Sequence, residues 1–275
     1  MTITRRDGRP PTALRPVTIT LDWQETAYAS ALVELGRTKV VCAVSREDRA
    51  PQFLRGSGKG WVTAEYAMLP GSTAERSPRE VARGRPSGRT QEIQRLIGRA
   101  LRSVTDTGAL GESTLWVDCD VLQADGGTRC AAITGAWVAL FAACHRLMGE
   151  KRLASFPLHD HVAAVSVGIV DGVAYLDLPY EEDVRAEVDM NVVMTGLGGL
   201  VEVQGTAERT PFSRADLDTL LDLAARGIGE LVAAQKHALG PLLEAAAIPP
   251  LRRLALGPAP LDLSGQGQGQ SGARS

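Results

Sequence analysis

The chain has 275 residues, 44% of them hydrophobic, and a formal net charge of −2. That is enough apolar content to bury a core in one large domain or two joined halves, and the charge excludes a generic polycation. Its 4 cysteines, Cys42, Cys119, Cys130 and Cys144, show no CxxC spacing and sit in apolar runs, and the N-terminus has no apolar run behind its charges. With no uninterrupted apolar stretch long enough to span a bilayer, the expectation is a reduced, cytoplasmic location and no membrane association.

In chain order, a Pro- and Arg-rich lead-in ends at Pro16, and residues 29–45 read as two strands joined at Leu35-Gly36-Arg37-Thr38. Residues 51–60 are too rich in glycine for a regular element, and their tone is basic. A strand-like run follows over 61–69. From Thr90 onward Ile93, Leu96, Ile97, Ala100, Leu101 and Val104 recur at three and four, which predicts a helix with Arg95, Arg99 and Arg102 off its buried face. Residues 115–122 form a strand-like run. Residues 131–148 are apolar nearly all round, as expected of a helix packed between layers.

The second half starts over. Residues 162–170 and 173–178 flank an Asp171-Gly172 turn and predict a hairpin, because Gly tolerates the positive φ such a turn demands. A second hairpin spans 191–203 around Gly196-Leu197-Gly198-Gly199. Ser213 with Asp216 then caps a long helix through Leu217, Leu220, Leu221, Ala224, Ile228 and Leu231. Strands followed by a helix thus occur twice, which predicts an α+β fold of two related halves within residues 1–240. Residues 241–275 accumulate Pro, Ala, Gly and Gln and are expected to form a tail whose last part is disordered.

Three clusters carry chemistry. Asp125-Gly126-Gly127-Thr128-Arg129 leads from a strand into a helix, where paired glycines, unpaired N–H groups, a hydroxyl and a guanidinium fork make an anion cradle. Ser87-Gly88-Arg89-Thr90 repeats the device, so one phosphate gripped from two helix mouths is expected. Arginines crowd residues 76–102 and read either as a polyanion-binding stripe or as a solvated face paired to Glu75, Glu80 and Glu92. Asp177, Glu181, Glu182, Asp183, Glu187 and Asp189 read either as a solvated acidic loop or as a hard-cation site, since Mg²⁺ takes oxygen ligands. His159-Asp160-His161 reads as a surface turn rather than a metal site. Phe53 and Trp61 could stack on bases, with Trp61 expected in the core.

The runs Gly56-Ser57-Gly58-Lys59-Gly60-Trp61-Val62-Thr63-Ala64-Glu65-Tyr66, Ser87-Gly88-Arg89-Thr90-Gln91-Glu92-Ile93-Gln94-Arg95, Asp118-Cys119-Asp120-Val121-Leu122-Gln123-Ala124-Asp125-Gly126-Gly127-Thr128-Arg129 and Asp189-Met190-Asn191-Val192-Val193-Met194-Thr195-Gly196 resemble bacterial ribonuclease PH. The resemblance runs from about Arg5 to about Leu239. It implies a ribosomal protein S5 domain 2-like β-α-β-α fold and a homohexameric ring, a trimer of dimers. It also implies a phosphate-dependent 3′→5′ exoribonuclease that removes nucleotides 3′ of the CCA end of tRNA precursors by reversible nucleotidyl transfer, releasing nucleoside 5′-diphosphates. Other RNA 3′ ends, as in rRNA processing or decay, are implied as further substrates.

Carried onto this chain, the resemblance assigns phosphate to Arg89, Gly127, Thr128 and Arg129. It assigns catalysis and Mg²⁺ or Mn²⁺ to Asp177 and Asp183, with Asp183 as general acid toward the leaving 3′ oxygen and Asp177 as a metal or positioning partner. RNA binding falls on Arg76 and Arg79. Gly71 stands where many relatives carry an Arg after Met-Leu-Pro, which removes one expected RNA contact. A catalytically silent ring subunit and a hydrolytic, metal-dependent nuclease are the rival readings.

Overall fold

The computed structural model describes residues 5–208 and 210–245. Two sheets share one buried helix. Strands β1 (Val17–Leu21), β2 (Ala29–Leu35), β3 (Thr38–Glu47), β4 (Trp61–Met68) and β5 (Thr114–Gln123) form a five-stranded sheet in the order β1-β2-β3-β5-β4. All neighbours are antiparallel except β4 and β5, which are parallel and joined by helix α1 (Gly88–Arg102). The strand β1 was not anticipated. Its Val-Thr-Ile-Thr-Leu alternation is brief and follows a Pro-rich segment, yet it pairs with β2 from Val17–Leu35 to Leu21–Ala31.

Helix α2 (Thr128–Gly149) packs against β2, β3 and β5 on one side and β6 (Val162–Val170) on the other. Its Ile133, Trp137, Leu140 and Phe141 are buried together with Ile93 and Ile97 of α1. This position explains the all-round apolar sequence, since neither sheet leaves a polar face to α2. Among the described residues α2 is also the one helix long and apolar enough to cross a membrane, contrary to the expectation of none, but its apolar surface is covered within the fold.

The second sheet has the order β7-β6-β8-β9, with β7 (Val173–Leu176), β8 (Val188–Thr195) and β9 (Leu200–Ala207). Asp171 and Gly172 turn the first hairpin with φ of 50° and 74°, the left-handed pair that matches strand twist. Helix α4 (Arg214–Ala245) covers this sheet with Leu220, Ala224, Ile228 and Leu231. Its start is a reciprocal cap: the Ser213 N–H donates to Asp216 Oδ2 at 2.8 Å and the Asp216 N–H to Ser213 Oγ at 3.1 Å. Residues 241–245 belong to α4 rather than to a tail, and the Gly/Gln-rich stretch expected to be disordered lies outside the described residues.

His159-Asp160-His161 is not a surface turn. His161 is buried and its ring stacks on Trp137 at 4.3 Å, while the Asp160 carboxylate accepts from the His161 and Leu197 N–H groups at 2.6 and 3.1 Å. Burial, with Lys236, pushes the His161 pKa down to about 4. The segment therefore joins the two halves instead of facing solvent. All 4 cysteines are buried and free.

Candidate active site

Strand β5 ends at Gln123 and the chain turns into α2 through Gly126 and Gly127, both left-handed at φ of 73° and 69°. Only glycine fits Gly126. A Cβ there would lie 2.4 Å from the Leu178 carbonyl, so the loop is wedged against the second half of the molecule. Thr128 opens the helix, buried, and its hydroxyl accepts from the Tyr66 hydroxyl at 2.9 Å. Burial pushes the Tyr66 pKa up, offset in part by Thr128 and by the charges of Arg89 and Arg129.

The second mouth begins at Ser87, whose Oγ accepts from the Thr90 N–H at 3.2 Å. Glu80 fastens the incoming loop by accepting from the Ser87 N–H and the Thr90 hydroxyl. Arg89 stands exposed in the first turn of α1. Arg129 is steadied by Gln204 of β9 and lies 3.5 Å from Glu92. Both guanidinium groups act on the same acids, Asp183 and Asp189, so the two mouths open onto one space.

Asp183 ends the short helix α3 (Tyr180–Asp183) and Asp189 lies in β8. Burial raises the Asp183 pKa, opposed by Arg89 and Arg129. Burial and then the Asp183 charge push Asp189 up to about 6. Its Oδ1 is buried without a hydrogen-bond partner. An orphaned carboxylate oxygen beside a second acid costs free energy unless a cation or proton compensates it.

Asp177 does something else. Its carboxylate accepts from the Arg15 backbone N–H at 2.8 Å and from Arg15 Nε and Nη2 at 2.9 and 2.6 Å, with Arg9 at 3.3 Å. Burial alone would raise its pKa; the Arg15 hydrogen bonds and charge, with Arg9, hold it below the usual carboxylate range. Burial likewise opposes the Arg15 charge, and Asp177 outweighs it, so the Arg15 pKa is raised. Arg15 also donates to the carbonyls of Asp125 and Gly126, the latter at 3.3 Å. Asp177 is thus a sealed buttress behind the cradle. Of the roles expected of it, catalysis, cation binding and positioning, its surroundings fit the positioning one, because its oxygens are already taken by guanidinium groups.

Sequence reasoning missed that buttress. Arg5 and Arg9 extend it: Arg5 donates to the Leu176 and Asp177 carbonyls, both at 2.7 Å, and pairs with Glu182. The signal available was an Arg-rich lead-in opposite an acidic cluster. Arg76 and Arg79, the expected RNA contacts, are exposed on the loop between β4 and α1, and Arg79 precedes the Glu80 that anchors this loop to the α1 mouth. Gly127, Thr128 and Arg129 stand at the α2 mouth and Arg89 at the α1 mouth, and Asp189 rather than Asp177 acts on Asp183's side of the site.

Among the described residues no group of three or more His, Cys, Asp or Glu side chains is arranged to hold a metal. Two carboxylates suffice for Mg²⁺, which retains waters and shares phosphate oxygens, and the orphaned Asp189 oxygen with Asp183 fits that demand.

A duplicated α+β fold of two sheets around a shared helix, with glycine-rich and arginine-bearing helix mouths where the halves meet, defines a two-domain protein of the S5 domain 2-like class. The chain belongs to the 3′ exoribonuclease family, whose domain 1 pattern matches residues 13–144 and whose domain 2 pattern matches residues 160–227. Similar solved structures include rice (Oryza sativa) Rrp46, at 21% identity and a TM-score of 0.68, covering 87% of this chain and 100% of that one. The Archaeoglobus fulgidus exosome with RNA bound to the active site is similar at 23% identity and a TM-score of 0.71, covering 84% and 92%. An archaeal exosome core follows at 22% identity, a TM-score of 0.67 and coverage of 86% and 91%. At such identities these likenesses establish the fold. They also correct two expectations: the similar structures are Rrp46 and exosome components rather than a free bacterial ribonuclease PH, so that narrower identification and its homohexameric ring give way to membership of the wider family.

Proposed function

We propose that this chain is a phosphate-dependent 3′→5′ exoribonuclease. The observation that carries the reading is the meeting of Arg89 and Arg129, from two helix mouths, on the acids Asp183 and Asp189. Inorganic phosphate sits in the cradle, held by Arg89, Arg129, the Thr128 hydroxyl and the N–H groups that follow Gly127. One of its oxygens attacks the phosphorus of the 3′-terminal phosphodiester, and the bond to the neighbouring 3′ oxygen breaks. The terminal nucleotide departs as a nucleoside 5′-diphosphate. The shortened RNA keeps a 3′-OH, taking the proton that the attacking hydrogen phosphate brought, so Asp183 need not serve as general acid.

Little covalent work falls to the protein; positioning and neutralisation of phosphate charge dominate, and the near balance of phosphodiester and diphosphate makes the transfer reversible. Asp183 and Asp189 would hold Mg²⁺, with Mn²⁺ as an alternative. When bound, the ion supplies neutralisation of the phosphate oxygens. The two acids supply its oxygen ligands, and Arg129, steadied by Gln204, keeps its fork on the phosphate. Tyr66 fixes the Thr128 rotamer through its hydroxyl. Exposed Arg76 and Arg79 suit the backbone of an incoming RNA, and tRNA precursors with extra 3′ nucleotides are the substrates proposed, with other RNA 3′ ends.

The test is incubation of the protein with such a tRNA and Mg²⁺, with and without phosphate, resolving the released nucleotides. Diphosphates appearing only with phosphate support the reading. Monophosphates without phosphate mean hydrolysis, and binding with no release means a silent subunit; either result overturns it.

A further inference from the structure

The loop between β3 and β4 carries aromatic and cationic groups that the cradle does not use. Phe53, on a single 3-10 turn (Gln52–Leu54), exposes 68% of its surface, and its ring meets Trp61 edge-on at 5.2 Å. Trp61 is half-buried rather than a core residue, and Trp116 of the neighbouring strand β5 is exposed beside it. These three rings line a cavity of about 410 Å³ together with Arg49 and Arg55.

Arg102 reaches the same place from the last turn of α1. It passes around the edge strand β4, donates to the Val62 carbonyl at 2.8 Å and lies over the Trp61 ring at 4.2 Å. Gly98 makes room for it, since a Cβ there would lie 2.8 Å from Arg102 Nη1. Among the described residues no carboxylate pairs with Arg102, Arg55 or Lys59, whereas Glu47 is occupied by Arg49 and the Trp116 indole N–H. Exposed rings beside unpaired cations at the rim of a cavity are what a single-stranded polyanion with flat bases requires.

We propose that Phe53, Trp61 and Trp116, with Arg102 and the basic loop from Arg55 to Lys59, form a stacking platform for single-stranded RNA upstream of the 3′ end. The proposal rests on the reading of the cradle as the place where that end reacts. Helix α1 links the two: Arg89 in its first turn faces the cradle and Arg102 in its last turn faces the platform, roughly 20 Å away at 1.5 Å per residue. Arg95, exposed, lies between them and pairs with no carboxylate among the described residues. The RNA would follow the β4 edge rather than cross the open sheet. Glu65, Asp118 and Asp120 stand on that open face, where burial and then the Glu65 charge raise the pKa values of Asp118 and Asp120, and the negative charge of the three turns a polyanion away there.

The experiment compares 5′-labelled oligoadenylates of about three and about sixteen nucleotides, the second long enough to pass the platform. Affinities of the full chain are read by fluorescence anisotropy and by quenching of tryptophan emission. Phe53→Ala is expected to weaken the long oligonucleotide about tenfold and the short one less than twofold, with Phe53→Tyr restoring the loss. The long oligonucleotide alone is expected to quench tryptophan emission. Unchanged affinity for the long RNA, or equal losses for both, overturns the platform. So does a variant with normal RNA affinity but altered mass by light scattering, which makes the rings a protein contact. Failure of the wild type to release diphosphates from either oligonucleotide would instead fault the cradle reading and leave these affinities to decide the platform.

Discussion

Asp177 lies just before the short helix α3 and Asp183 ends it, and both carry the same group, yet the fold gives them opposite duties. Asp177 is sealed under Arg15 and Arg9, with a depressed pKa and its oxygens taken. Asp183 and its neighbour Asp189 face each other and the charges of Arg89 and Arg129, with raised pKa values and an unpartnered oxygen. A carboxylate whose charge is already matched stabilises a fold, whereas one left unmatched is held ready for a cation. Placement of the nearest guanidinium decides between them.

The largest effect expected is on the sealed side. Asp177→Ala strands Arg15 as a buried, unpaired charge and should cost about 3–5 kcal/mol in urea unfolding. A loss below about 1 kcal/mol, within the range of exposed pairs, would erase the contrast with Asp183. Because the folded pKa of Asp177 lies below its unfolded value, this stabilisation is present above about pH 4 and is lost only as pH falls further, through the folded value.

On the open side, Arg129→Ala should lower phosphorolysis by about 10²–10³-fold, the usual loss of a positioned charge donor, while RNA affinity changes little. Turnover near the wild-type rate would break the assignment of the cradle.

Asp189→Asn should sharpen the comparison by acting in the reverse direction to Asp177→Ala. With its folded pKa raised to about 6, ionised Asp189 destabilises the metal-free protein above that pH. The variant should therefore melt a few degrees higher than wild type near pH 7.5, with the difference fading toward pH 4. It should also lose Mn²⁺ binding measured by electron paramagnetic resonance; retention of that binding would exclude Asp189 as a ligand. The smallest effect is expected at the exposed loop. Arg76→Ala and Arg79→Ala should each weaken tRNA binding less than tenfold and reduce the salt slope by about one.

Much of the architecture was legible because its signals are local. The period of Ile93, Leu96, Ile97 and Leu101, the Asp171-Gly172 turn and the Ser213–Asp216 cap each depend on residues a few positions apart. The cradle was legible for the same reason, since two glycines and a helix start are adjacent in the chain. The buttress was not, because Arg15 and Asp177 meet only when the N-terminal segment crosses to the second half. Spacing alone likewise offered no way to rank Asp177 against Asp189 as the companion of Asp183. The burial of His161 and the half-exposed position of Trp61 ran against expectation, because which surface a segment presents is set by the elements packed against it.

By itself, then, the sequence determined most of the strands and helices, β1 and α3 excepted, the duplicated plan and the glycine-rich helix mouth, all of which are written in short-range patterns of side-chain size and backbone freedom. Only the tertiary structure decided which acids are neutralised and which remain open, and that Arg102 lies over Trp61 at the far end of α1. Charge compensation and ring stacking act across space between segments distant in the chain, so they exist only once the two halves have closed around α2.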